Sequence, residues 1–222
     1  MKIIDIKKYA IHNNHSFILK LSHSRDIILF NCSESLQSYF IFRQIKMNNI
    51  SKIIITDLHI NNISGLFGLL SSLNSIGRIK DLHIYGPKGL DAYIDLGKKY
   101  SHTNFKYLLY IHTLKNGLVI NHFKYRIYAL VNINRFDFVI IISEVPGKFR
   151  IQKASNQYLF PGPLYRNLKK GSTFILPDGL VLEGYKFTLV NHMGSKFTFV
   201  LNNYYSRKYL EKTIQSMILL YE

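Results

Sequence analysis

Short β-branched apolar runs alternate with longer stretches of helical spacing through the first half of the chain. Residues 16–21 and 26–30 read as strands joined by the polar turn Ser22-His23-Ser24-Arg25, and 34–47 as the helix that follows. Residues 50–55 form the next predicted strand, 63–76 the next helix, and 81–85 a further strand closed by Gly86-Pro87. Pro87 fits the first turn of a helix running through Leu96, because a proline there gives up only an N–H that has no partner within the helix. From 105 to 143 the pattern changes to alternating apolar runs around Lys115-Asn116-Gly117, Asn121-His122 and Asn132-Ile133-Asn134, which predicts antiparallel strands and a second sheet. The stretch 147–179 is irregular, with Pro, Gly and Lys clustered; a strand at 196–201 and a helix at 206–220 complete the pattern. Strands and helices in this order predict an α/β fold, an αββα sandwich of two mixed sheets with helices outside.

With 222 residues, 47% of them apolar, and no shift in composition, the expectation is one domain over 1–222. No apolar run approaches the roughly 18 to 20 residues that span a bilayer, and Met1-Lys2-Ile3-Ile4-Asp5 opens no signal-peptide core, so neither membrane insertion nor targeting is expected. The single cysteine, Cys32, excludes an internal disulfide framework, fits a reducing compartment and reads as a small buried hydrophobe at a strand end. Lys and Arg total 29 against 13 acids, a net +16, which favours a polyanionic partner. Nucleic acid comes first, since no basic amphipathic helix points to a membrane surface. Abundant Ile, Asn, Lys, Tyr and Phe with no Trp is what AT-rich coding produces, and it contributes part of that charge. Such a composition points to translation in a plastid or in the cytoplasm of an AT-rich bacterium.

Candidate chemistry concentrates after the strand at 50–55, in Thr56-Asp57-Leu58-His59-Ile60-Asn61-Asn62-Ile63-Ser64-Gly65-Leu66-Phe67-Gly68. This polar turn sits at the carboxyl end of a strand and leads into a helix. His12, His15, His23, His83, His102, His112, His122 and His192 are scattered without an i,i+2 or i,i+4 ligand pair and read as surface or strand histidines. His83 lies in a second triplet, Asp81-Leu82-His83, away from that turn. There is no Gly-rich phosphate loop, nucleophile elbow or usefully spaced Cys/His pair.

The turn resembles the metal loop of ribonuclease Z, the tRNA 3′-processing endonuclease family of the metallo-β-lactamase superfamily, which reads Thr-His-Leu-His-Gly-Asp-His before Gly-Leu-Pro-Gly-Leu. At the family's ligand positions stand Asp57, His59, Asn61 and Asn62. The segment from Ile28 to Gln37 is similar to the family's Leu-Phe-Asp-Cys-Gly-Glu-Gly-Thr-Gln with Asn31 at the aspartate, and Ile84-Tyr85-Gly86-Pro87-Lys88-Gly89-Leu90 resembles a family strand-to-helix turn. The resemblance puts Val131 or Asn132 at a later histidine and Asn203 at the bridging aspartate, and the chain reaches Glu222 where the family continues toward its last histidine. It implies the αββα fold and a zinc phosphodiesterase lineage in which Asp57 and His59 are remnants. Zinc requires imidazole, thiolate or carboxylate donors, and neutral amides are poor substitutes, so no catalytic residue and no cofactor is expected.

The most specific likeness lies in Pro146-Gly147-Lys148-Phe149-Arg150, Lys153-Ala154, Phe160-Pro161-Gly162-Pro163-Leu164-Tyr165, Leu168-Lys169-Lys170-Gly171 and Leu176-Pro177-Asp178-Gly179. It is similar to the arm with which the family grips tRNA, here at 147–179. Between Gly147 and Gly171 lie six bases, Lys148, Arg150, Lys153, Arg166, Lys169 and Lys170, and no acid, on a frame that includes Pro161, Gly162 and Pro163. Exposed cations on such a frame suit phosphate contacts. The resemblance therefore implies a catalytically degenerate family member that binds tRNA or pre-tRNA in 3′-end maturation, as a homodimer or as the arm-bearing partner of an intact homologue. Two alternatives stay open: a metal-dependent tRNA 3′ endoribonuclease using zinc on Asp57, His59 and unusual ligands, and the product of a decaying gene.

Overall fold

A computed structural model describes residues 2–5, 16–20, 25–132, 135–144, 146–190, 193–200, 207, 211 and 213–220. The first sheet has six strands in sequence order: β1 (Lys2–Asp5), β2 (Phe17–Lys20), β3 (Ile27–Phe30), β4 (Ile50–Ile54), β5 (Leu82–Gly86) and β6 (Leu109–Thr113). β1 and β2, and β2 and β3, pair antiparallel, whereas β3 through β6 run parallel. Parallel neighbours need crossovers, and these carry α1 (Leu36–Phe42), the single turn α2 (Ile60–Ile63) with α3 (Leu66–Ser75), and α4 (Leu90–Ser101). The second sheet has five strands in the order β13, β12, β9, β8, β7: β7 (Gly117–His122), β8 (Tyr125–Asn132), β9 (Arg135–Ile142), β12 (Ser195–Val200) and β13 (Met217–Leu220).

Alternation along the strands divides the side chains between two cores. Ile18, Ile27, Leu29, Ile53, Leu82 and Ile84 face the helices and meet Leu66, Leu69, Leu70, Leu73 and Ile94. Phe17, Ile28, Phe30 and Ile54 face the second sheet and meet Ile127, Phe138, Ile140 and Phe199. The phenyl rings interlock there, with Phe17 stacked 4.3 Å from Phe30 and Phe138 edge-on to Phe30 at 5.4 Å. Each such ring contributes about 1.5 to 3 kcal/mol by leaving water. This is the expected pair of mixed sheets with helices against the first; of an outer layer on the second, only Arg207, Glu211 and Thr213 are described, all helical.

Several boundaries differ from the sequence pattern. The helix predicted to reach Met47 ends at Phe42, because Gln44 takes a left-handed conformation (φ 52°), with its N–H donating to Ile41 and that of Ile45 to Phe40. This is a Schellman termination without a glycine to announce it. The helix after β5 starts at Leu90 behind Gly89 (φ 100°), leaving Pro87 in the preceding turn. It continues past Leu96 to Ser101, and Gly97 within it serves a close contact: a Cβ there would lie 1.9 Å from the Phe67 ring of α3. β6, expected among the antiparallel strands, extends the first sheet parallel to β5. Finally, the predicted helix at 206–220 is helical at Arg207, Glu211 and Thr213, but its last part is β13, a parallel edge strand on β12; a four-residue apolar run does not distinguish helix from strand by periodicity.

The stretch 147–179, expected as irregular, contains α5 (Ile151–Ser155), α6 (Pro163–Lys169) and β10 (Thr173–Ile175), and its packing continues through β11 (Val181–Glu183) to about residue 189. It has its own small core of Ala154, Leu159, Leu168, Leu182 and Phe187. Its ends are drawn together: Arg150 N–H donates to Phe187 and Leu189 N–H to Lys148, at 2.7 and 3.0 Å. Gly147 permits this, since a Cβ would fall 2.2 Å from the Leu189 carbonyl oxygen.

Candidate functional site

β3, β4 and β9 bring three separate stretches together at the loop after β4. Asn31, just past β3, is buried and left-handed (φ 56°), a conformation asparagine tolerates better than most residues. Its Oδ1 accepts from the Thr56 N–H (2.9 Å) and hydroxyl (3.1 Å). The Thr56 carbonyl in turn accepts from Phe136 N–H on β9 at 3.2 Å. On the other side, Cys32 N–H donates to Asn62 and the Cys32 carbonyl accepts from Gly65 N–H, at 2.7 and 2.8 Å. Gly65 lies so close to Ser33 that a Cβ would be 2.1 Å from its carbonyl oxygen. Cys32 itself is fully buried, and burial pushes its thiol well above the ordinary range, as expected for a packing cysteine.

Asp57 is held at the centre of this frame, its side chain 8% exposed. Its Oδ1 accepts from the Asn62 amide at 2.6 Å and from His59 N–H at 2.9 Å, and its Oδ2 lies 3.2 Å from Arg135 Nε. The negative charge is thus met by a guanidinium from the start of β9 and by two further donors. His59 caps α2, its Nδ1 accepting from Asn61 N–H at 3.4 Å, and its ring is turned to the exposed side of the loop. Asn62 Oδ1 is buried without a hydrogen-bond partner among the described residues, but it is a neutral amide oxygen.

These donors do not fit a hydrolytic zinc pair. Among the described residues no group of three or more His, Cys, Asp or Glu converges on a point, both Asp57 oxygens already face protein donors, and Arg135 brings a positive charge where an ion would have to sit. Of the other positions the resemblance assigned, Asn61 is exposed, Val131 and Asn132 end β8, and Asn203 lies outside the described residues. His12, His15, His23 and His192 also lie outside them. Arg135 was not singled out from the sequence; its one signal is a lone base just ahead of Phe136-Asp137-Phe138.

The predicted phosphate contacts present the opposite arrangement. Lys148, Arg150, Lys153, Arg166, Lys169 and Lys170 are all exposed, and none forms an ion pair among the described residues. Arg150 and Lys153 line one open groove of about 580 Å³ with Phe149, Gln152 and Asn156. Pro161 and Gly162 are exposed ahead of α6, and Pro163 occupies its first turn. Arg166 and Lys169 fall in the last turn of α6 and Lys170 caps it, where cations complement the helix dipole. The acid Glu183 is engaged by Lys186.

No family model matches the chain. It is 33% identical over 190 residues to ribonuclease Z of Trichodesmium erythraeum (strain IMS101), covering 84% of this chain and 59% of that protein. Ribonuclease Z of Gloeothece citriformis (strain PCC 7424) is 32% identical over 213 residues, covering 95% and 67%. A protein named ycf56 from Pyropia yezoensis is 36% identical over 196 residues, covering 86% and 74%. The chain spans about three fifths to two thirds of the ribonuclease Z relatives it matches, 59% and 66% in two of them. Among solved structures, human tRNase Z, short form, superposes with a TM-score of 0.51 at 25% identity, over 57% of each chain.

Proposed function

Because the chain belongs to the ribonuclease Z family and has a metallo-β-lactamase fold, we propose that it is a tRNA-binding protein of 3′-end maturation that grips tRNA or pre-tRNA without cleaving it. The observation that carries this reading is the contrast within one chain: Asp57 is engaged by Arg135, Asn62 and the His59 amide, while six bases of the 147–171 stretch are exposed and form no ion pair among the described residues. In a two-metal hydrolase the ions generate the nucleophile and stabilise the leaving oxygen, and neutral amides with an arginine supply neither function. Acting as an accessory subunit, the protein presents the basic segment to RNA as a homodimer or beside an intact homologue that cuts. Its AT-rich composition and the ycf56 relatives of Pyropia yezoensis and Porphyra purpurea support a plastid location, with the cytoplasm of an AT-rich bacterium as the alternative. No helix among the described residues is long and apolar enough to cross a membrane.

Filter binding of tRNA across a salt series tests the reading. Six phosphate contacts give a log-log slope on the order of −4 to −6, and alanine at the six positions should flatten it. A flat wild-type dependence would count heavily against it. Stoichiometric zinc in the purified protein together with cleavage of a 3′-extended pre-tRNA would establish the enzyme instead.

A further inference from the structure

A second constellation lies on the inter-sheet side of the first sheet, across β4, β5 and β6. Lys52, His83 and Tyr110 form one cross-strand row of β4, β5 and β6, and Ile54, Tyr85 and His112 the next. The rings lie nearly parallel: Tyr110 to His83 at 5.0 Å and 15°, His83 to His112 at 5.4 Å and 21°, His112 to Tyr85 at 4.6 Å and 18°. His83 Nδ1 and His112 Nε2 are 3.1 Å apart, so those ring nitrogens satisfy each other. β6 is the sheet's edge strand; Tyr110 is 43% exposed and His83, Tyr85 and His112 are half-buried.

The turn between β7 and β8 is bonded to the chain that leads into the basic segment. Past β9, the Ser143 N–H and hydroxyl both donate to the Lys124 carbonyl in the turn between β7 and β8, at 2.9 and 3.0 Å, shortly before the 147–189 segment begins. That turn carries Phe123, 80% exposed with Lys124 beside its ring, and His122 stacked on Tyr125. Lys52 is close enough to help hold both His83 and His122 toward the neutral form, after burial and, for His83, after His112; Asp81 opposes this at His83 and Asp26 at His122.

We propose that the Tyr110, His112 and His83 array is a stacking site for unpaired nucleobases of an RNA whose backbone is held by the basic segment. Flat, mutually parallel rings at an open sheet edge offer faces to which further planar groups add, and every base has such a face. Lys52, beside His83 in the same cross-strand row, complements a phosphate that accompanies a base and would do nothing for a neutral aromatic ligand. This site rests on the RNA-binding function proposed above.

Fluorescence anisotropy with a labelled single-stranded oligoadenylate tests it. The double variant Tyr110→Ala/His112→Ala should bind roughly tenfold more weakly with the same salt slope, since stacking releases no counterions. Tyr110→Phe should bind as wild type. If the double variant melts early, Tyr110→Ala alone, at an exposed edge position, decides, with about threefold weakening expected. Wild-type affinity in the alanine variants, with binding lost when the six bases are replaced, overturns the stacking site and leaves RNA binding standing. A wild-type protein that binds no RNA overturns both.

Discussion

The loop after β4 and the segment following β9 solve opposite problems with polar residues. In the loop, side chains are directed inward: Asn31 holds Thr56, Asn62 and Arg135 hold Asp57, and the backbone of Cys32 holds both Asn62 and Gly65. In the segment at 147–189, apolar residues do the holding, through Leu168, Leu182 and Phe187, and the charged side chains stay outside. A buried charge met within the protein destabilises the fold if its partner is removed and is no longer open to a ligand; an exposed one contributes little to stability and stays open to a ligand. The two regions should therefore respond differently to the same kind of change.

The largest effect is expected where the segment's own core is cut. Leu168→Ala should cost about 2 to 5 kcal/mol of local packing, because Leu168 is fully buried in a cluster of few members. Hydrogen exchange should then rise across 147–189 while the amides of β3, β4 and β5 stay protected, and tRNA affinity should fall even though every base remains. Equal loss of protection in both regions would show that they unfold as one unit. Next in size is Arg135→Ala, which leaves Asp57 Oδ2 buried without its cation and should cost about 1 to 3 kcal/mol in a denaturant melt. Binding of tRNA should change little. Asp57→Asn combined with Arg135→Met should recover part of that loss, since it removes both charges together. Added zinc should not raise the melting temperature of the wild-type protein, as a ligand stabilises only through a site on the folded state. A zinc-dependent rise would mean that Arg135 gives way to the ion and that the loop is still a metal site.

Much of this contrast was legible in the sequence, but unevenly. The loop showed its missing ligands, the basic segment its charges, and the strand and helix order the layered fold, since each depends on local pattern. Arg135 was not legible as the partner of Asp57, because 78 positions separate them and they meet only through the packing of β9 on the first sheet, where Phe136 N–H reaches the Thr56 carbonyl. The pairing of His83 with His112 was hidden likewise: neither shows ligand spacing along the chain, and they meet only because β5 and β6 are adjacent and parallel. Gln44 and Gly97 misled in opposite directions, one ending a helix without a glycine and the other continuing it with one.

The smallest predicted effect concerns pH. Burial first, then His112 and Lys52, lower the His83 pKa, and burial, then Lys52 and Lys124, lower that of His122. At these two positions the folded state binds fewer protons than the unfolded chain, where a histidine titrates near about 6.5, so their contribution to stability rises with pH through this range. The contribution is fully present above the unfolded value and is lost as pH falls below it toward the folded values. Between pH 8 and pH 5 the melting temperature should fall slightly on this account, and His83→Phe should remove part of the fall. NMR titration of the histidine rings separates the sources: His83 should change charge at lower pH than free histidine, and a normal or raised value would detach the array from this dependence.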